Sequence, residues 1–140
     1  MSRAALIDTG PLVAFLKRRD RFHSWTTSTL RTLEYPLFTC EPVITEACFL
    51  LSNTDGGSAS VMALIDDGAL EIDFAIGDQA ARLNILMTQY SSVPMSLADA
   101  CLVRMAELKK NTPIVTFDSD FNIYRMNRNE VIPVVMPEQW

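Results

Sequence analysis

Arg3-Ala4-Ala5-Leu6-Ile7-Asp8-Thr9-Gly10-Pro11 is an apolar run of strand length that ends abruptly in a carboxylate. A run apolar on both faces suits the central strand of a parallel sheet, covered by helices above and below. Asp8 then stands at the polar end of that strand, where chemistry collects. Gly10-Pro11 predicts a turn, and Pro is pre-organised for the first turn of a helix over 12–16.

Downstream, strand and helix signals alternate. After the charged turn Lys17-Arg18-Arg19-Asp20, a second helix is predicted over 22–33, then a short strand over 37–40. Glu41-Pro42 opens a helix reaching residue 52, with Pro at its first position, and 53–57 is a loop. A helix over 58–67 stops at Gly68, and residues 69–74 alternate apolar and acidic as a half-buried strand near an edge does. Residues 78–90 are helical, and Ser96 with Asp99 makes a capping-box-like start for a helix over 97–110. Residues 113–117 form a buried strand ending at Asp118, 119–126 a short helix, and 131–135 a last strand that Pro133 confines to an edge. The expected fold is α/β, a three-layer sandwich with a mainly parallel central sheet flanked by helices.

A chain of 140 residues fits one domain over 1–140, large enough for a single core. With 49% apolar and 21% charged residues it has a globular balance. Its apolar runs break well before the roughly 18 residues of a membrane span, and neither a signal peptide nor an anchor is expected. Cys40, Cys48 and Cys101 are odd in number and widely spaced, which suits reduced thiols in a cytoplasmic protein. The 17 acidic residues outnumber the 12 basic ones, giving a net charge of -5, so a polyanion would have to be held locally.

Asp8 and Asp118 each follow a buried strand directly, and Glu46 and Asp99 each lie within the first two turns of a helix. In a parallel α/β fold, strand carboxyl ends and the amino ends of following helices share one edge of the sheet, where ligands bind. At 100° per residue, Glu46 falls on the shoulder of the stripe made by Val43, Ala47, Leu50 and Leu51, off the solvent face. Asp99 shares its side with Leu102, Val103 and Ala106. Taken singly, Asp99 is better explained as a helix-start residue, and Asp8 and Asp118 as turn or cap residues; Glu46 is the hardest to explain structurally. Taken together, four acids on one rim repel, and no Arg or Lys stands among their immediate neighbours. A hard divalent cation would relieve them. Mg²⁺ keeps several waters and is commonly held by a few carboxylates together with substrate phosphate, which points to metal-assisted phosphodiester hydrolysis.

With these residues in place, the chain resembles the PIN-domain ribonucleases, and within them the toxin component of VapBC toxin–antitoxin pairs. The resemblance covers nearly the whole chain and rests on Leu6-Ile7-Asp8-Thr9-Gly10-Pro11-Leu12, Ile44-Thr45-Glu46-Ala47, Ser96-Leu97-Ala98-Asp99-Ala100 and Val115-Thr116-Phe117-Asp118-Ser119-Asp120-Phe121. It implies that Asp8, Glu46, Asp99 and Asp118 are a catalytic acidic quartet binding Mg²⁺ or Mn²⁺, supported by Thr9 and by Thr116, whose hydroxyl orients the cluster. Asp120 is a fifth acid, and a short turn could present either Asp118 or Asp120 to the metal; Asp118, the first polar residue after Phe117, is preferred.

The implied reaction is endonucleolytic cleavage of RNA, in which a deprotonated water attacks phosphorus in line and no covalent enzyme intermediate forms. The implied partners are a cognate antitoxin, whose helix and tail reach into the active cleft, and a second copy in a homodimer. Arg125 and Arg128, shortly after Asp118, are the expected RNA contacts; the basic run Lys17, Arg18, Arg19 and Arg21 is expected at the edge opposite Asp8. His23, beside Trp25 and away from the acids, reads as a packing residue.

Two rivals come from other classes. Asp8-Thr9-Gly10 matches the short motif of retroviral-type aspartic proteases, but that fold is all β and helical periodicities fill this chain. The other is a PIN-like module that has lost cleavage and only docks RNA or a partner protein. Zinc and nucleotide chemistry find little support in one His, no closely paired Cys and no glycine-rich phosphate loop.

Overall fold

Leu6 and Ile7 are fully buried and sit in the middle of a five-stranded parallel sheet. The computed structural model describes residues 3–138. In chain order its elements are β1 (Leu6–Ile7), α1 (Thr9–Leu16), α2 (His23–Leu30), β2 (Leu37–Thr39), α3 (Glu41–Leu50), α4 (Gly57–Asp66), β3 (Leu70–Ile72), α5 (Ile76–Gln89), α6 (Leu97–Leu108), β4 (Ile114–Val115), a 3₁₀ turn (Ser119–Asn122), β5 (Arg125–Met126), β6 (Glu130–Val131) and β7 (Val134–Val135). The sheet order is β3-β2-β1-β4-β7. Leu6 stands opposite Phe38 on one side and Ile114 on the other. Every pairing in this sheet is parallel, so the α/β architecture with helices flanking a parallel sheet is the one expected.

Three local expectations are corrected. The first helix begins at Thr9, directly after Asp8, with Gly10 and Pro11 inside its first turn. Proline is tolerated there because the first N–H groups of a helix have no intrahelical partner. Gly10 is needed for space, since a Cβ at this position would stand 2.9 Å from Cδ2 of Phe117. The helix predicted over 119–126 is only the 3₁₀ turn; Arg125 and Met126 instead pair with Val131 and Glu130 in an antiparallel hairpin. Asn127 and Arg128 have φ of 46° and 80°, which makes the tight reversal that a helix cannot contain. The single strand predicted over 131–135 is thereby split, with Val131 in the hairpin and Val134–Val135 pairing with β4. Pro133 lies between them, and β7 is an edge strand, as the proline requires.

The hairpin is fastened to the helical layer by Glu107, whose side chain is 2% exposed. Arg82 of α5 donates to both of its carboxylate oxygens, from Nε at 3.0 Å and Nη2 at 2.6 Å. Arg104 donates from Nη1 at 3.1 Å and the Asn127 backbone N–H at 2.7 Å. Burial alone would push the Glu107 carboxyl up, but the bonds from Arg82, Asn127 and Arg104 outweigh it and hold it below the usual glutamate range. Such bonds to a charged acceptor contribute more than neutral ones. Replacing Glu107 with Gln is expected to lower stability by about 1–3 kcal/mol at neutral pH, read by urea unfolding. Because the folded carboxyl lies below its unfolded value, the difference between wild type and E107Q is full above the ordinary glutamate pKa and shrinks as pH falls through the folded one.

Candidate functional site

The chain runs from β1 to β2 to β3 in one direction across the sheet, then returns to place β4 on the other side of β1. The point where strand order reverses opens a crevice at the carboxyl ends of the strands. Asp8 follows β1 there and Asp118 lies three residues past β4. The Asp8 N–H remains in the ladder, donating to the Val115 carbonyl at 3.0 Å, while its side chain turns into the crevice edge with 8% exposure. Its Oδ1 accepts from the Thr9 N–H at 2.8 Å, capping α1, and its Oδ2 accepts from the Thr116 hydroxyl at 2.7 Å. The Thr116 oxygen in turn accepts from the Asp118 N–H at 3.0 Å. One buried hydroxyl therefore spans two acid-bearing segments 108 residues apart in sequence.

Asp99 enters from α6 and forms the capping box expected from Ser96: its N–H donates to the Ser96 hydroxyl at 3.0 Å and its Oδ2 accepts from the Ser96 N–H at 3.3 Å. The same Oδ2 accepts from the Tyr124 hydroxyl at 3.0 Å. Asp118 caps the 3₁₀ turn, its Oδ1 accepting from the Asp120 N–H at 2.9 Å. Each acid thus performs the local capping role, and each is also coupled to the others.

Burial pushes the Asp8 carboxyl up to about 6; the bonds from Thr116 and Thr9 oppose the shift, and the charges of Asp99 and Asp118 add to it. Asp99 is raised as well, first by burial and then by Asp118, against the bonds from Ser96 and Tyr124. Burial and the neighbouring carboxylates of Asp99, Asp120 and Asp118 push the Tyr124 phenol up, so it remains a donor. Among the described residues the ion pairs lie elsewhere: Arg82 and Arg104 on Glu107, Lys109 on Asp73. None of these pairs involves Asp8, Asp99 or Asp118.

The donor set suits a hard divalent cation, because it is built of carboxylate oxygens carrying uncompensated charge. Asp99 Oδ1 and Asp118 Oδ2 accept no hydrogen bond among the described residues. Among the described residues no group of three or more His, Cys, Asp or Glu side chains is by itself arranged to hold a metal ion. An ion that keeps much of its water shell fits such an open arrangement better than one demanding a closed cage.

The remaining expected residues are placed as follows. Glu46, expected off the solvent face, is exposed on α3, because the buried stripe of that helix is the narrower one of Val43, Ile44 and Ala47. None of the interactions that shift Asp8 or Asp99 involves it. Asp118 is among the leading influences on both Asp8 and Asp99, whereas Asp120 is not. The Thr9 hydroxyl is buried without a hydrogen-bond partner. Arg125 directs its Nη1 to the carbonyls of Asn122, Ile123 and Tyr124, and Arg128 is exposed at the hairpin turn. His23 Nδ1 bonds the Ala14 carbonyl at 2.8 Å, in keeping with a packing role.

The Arg21 guanidinium lies 4.6 Å over the Phe22 ring, which packs 4.7 Å from the ring of Phe117, the neighbour of Asp118. The cysteines are free, and Cys40 and Cys101 are buried. Tyr124 was missed by sequence reasoning, because within an expected helix it looked like one more apolar position.

A carboxyl whose folded pKa is raised lowers stability once pH exceeds its unfolded value of 3.8, and the loss is complete above about 6. In metal-free buffer Asp8→Asn is therefore expected to be more stable than wild type at pH 8, by up to about 3 kcal/mol, with the advantage vanishing near pH 4. Urea unfolding of both proteins at several pH values measures it; a pH-independent difference would show that Asp8 is not desolvated.

A family model described as PIN domain matches residues 5–126. Among solved structures, the chain is similar to VapC20 of Mycobacterium tuberculosis, a sarcin–ricin loop cleaving toxin, with TM-score 0.75 and 18% identity over 87% of this chain and 94% of that one. It is similar to a toxin–antitoxin complex from Klebsiella pneumoniae, with TM-score 0.68 and 19% identity over 97% of this chain and 99% of that one. VapBC2 from Rickettsia felis, bound to a DNA fragment from their promoter, gives TM-score 0.60 and 15% identity over 99% of this chain and 100% of that one. No curated protein is a significant sequence match. At such identities the structural likeness speaks for the fold, and it agrees with the parallel sheet and its order. With the family model spanning most of its length, from the strand before Asp8 to the hairpin after Asp118, the chain belongs to the PIN domain family.

Proposed function

We propose that this chain is a single-domain, Mg²⁺- or Mn²⁺-dependent endoribonuclease that cleaves RNA phosphodiester bonds and acts in the cytoplasm as the toxin of a toxin–antitoxin pair. The observation that carries the reading is the Asp8–Thr116–Asp118 linkage at the strand-order reversal, with the charges of Asp99 and Asp118 acting on Asp8, that of Asp118 on Asp99, and no ion pair on any of the three among the described residues. Membership of the PIN family and the likeness to VapC20, itself a sarcin–ricin loop cleaving toxin, support it.

Asp8, Asp99 and Asp118, with Glu46 reaching in from α3 and Asp120 beside Asp118, would hold the cation. Bound there, it would supply an activated water and offset the charge that develops on phosphorus and the leaving oxygen. The residues of the chain do the rest. Thr116 donates to Asp8 and accepts from the Asp118 backbone N–H, so the Asp8 carboxylate is fixed relative to the backbone that carries Asp118. Burial of Asp8 keeps competing water off one side of the site. Arg128 and the remaining donors of Arg125 are the proposed phosphate contacts. An antitoxin and a second copy of the chain are the proposed protein partners; exposed Phe49, Leu50 and Met62 on α3 and α4 form apolar surface that a protein partner would cover.

Incubation of the purified chain with total RNA tests the reading. Cleavage is expected with Mg²⁺ or Mn²⁺, is lost on chelation, and returns when the ion is restored. Asp8→Asn and Asp99→Asn are each expected to reduce the rate at least 100-fold while unfolding as cooperatively as wild type. Cleavage that survives both substitutions would overturn the nuclease, and RNA binding with no cleavage by the wild type would identify a docking module instead.

A further inference from the structure

We propose that Tyr124 is a positioning residue for the cation site: its hydroxyl fixes Asp99 through Oδ2, leaving Oδ1 for the ion. This rests on the metal-dependent reading above and extends it to a side chain outside the acidic set. Tyr124 is fully buried, and its ring is clamped edge-on between Tyr90, with centroids 5.1 Å apart, and Phe121, at 5.3 Å. A ring held on two sides has little freedom, so the hydroxyl is presented in one direction. It donates to Asp99 Oδ2 at 3.0 Å, and the Ser96 N–H donates to the same oxygen at 3.3 Å.

The base of the hairpin keeps the phenol in place. The Tyr124 N–H bonds the Asp120 carbonyl at 3.0 Å, the next N–H, of Arg125, donates to the Tyr90 hydroxyl at 2.9 Å, and the turn is tied to Glu107 through Asn127. Tyr124 is thereby referenced to α5, to α6 and to the turn that carries Asp118. Hydrogen-bond donors behind a metal-ligating carboxylate set its orientation, and their removal costs metal affinity even though they never touch the ion.

The test is Mn²⁺ titration of the full chain without RNA, following free Mn²⁺ by electron paramagnetic resonance, for wild type, Asp99→Asn and Tyr124→Phe. Phe preserves the ring packing, and thermal melts confirm that each variant is folded. Y124F is expected to weaken Mn²⁺ binding about tenfold, within the range typical of such supporting partners. In the cleavage assay it is expected to need correspondingly more Mn²⁺ for half-maximal rate, with the KM for RNA unchanged. A purely structural role would lower the melting temperature and leave Mn²⁺ affinity as in wild type; that result, with D99N weakened, overturns the proposal alone. Absence of Mn²⁺ binding by the wild type overturns both it and the metal-dependent reading.

Discussion

The site depends on a carboxylate that the fold keeps at the end of its central strand at a cost in stability. Asp8 is 8% exposed, and its two oxygens are satisfied by one backbone N–H and one hydroxyl, neither of them cationic. Such an arrangement is uphill: burial raises the carboxyl to about 6, and Asp99 and Asp118 raise it further. A residue chosen for stability alone would be apolar or would have an Arg beside it. What makes Asp8 tolerable is Thr116, which neutralises part of the desolvation without neutralising the charge. Thr39 does similar work on the other flank, its hydroxyl donating to the Ile7 carbonyl at 2.8 Å and locking the end of β2 against β1.

Topology explains why the acids meet. A parallel sheet points all its strand ends the same way, and the reversal of strand order beside β1 leaves the ends of β1 and β4 as neighbours with a gap above them. Asp99 is brought in by packing: Cys101, Leu102 and Met105 of α6 are almost wholly buried, which aligns the first turn of the helix with the rim. The capping box then limits Asp99 to the side of the helix that faces Tyr124. Local capping preferences and the shared rim are therefore compatible, since helix amino ends and strand carboxyl ends lie at the same edge of the sheet.

How much of this was legible follows from the range over which each signal acts. The buried strands, the helix starts at Ser96 and Pro42, and the acids at strand ends are local patterns, readable from a few consecutive residues. Thr116 was found because it sits two residues before Asp118 inside a motif. The hairpin was not found, because Asn127 and Arg128 adopt positive φ without a glycine to announce it, and the pairing of Arg125 with Val131 is a tertiary matter. Glu46 illustrates the limit of helical-wheel reasoning, since a shoulder position is buried or exposed according to what packs beside it, and α3 buries only Val43, Ile44 and Ala47.

The ion pairs complete the argument by where they are. Glu107 takes up both Arg82 and Arg104, Asp73 takes up Lys109 at 2.6 Å, and Lys109 also lies 3.9 Å over the Phe38 ring. Arg125, the basic residue nearest in sequence to Tyr124, is turned onto three backbone carbonyls. Arg82, Arg104, Lys109 and Arg125 are thus committed to partners other than the rim acids. A lysine or arginine beside Asp8 would stabilise the fold and occupy the negative potential that the proposed divalent ion and phosphate would share. The fold instead places its charge compensation in the helical layer, where Glu107 fastens the hairpin, and the rigidity gained there is passed through Tyr124 to Asp99 while the rim keeps its unneutralised charge.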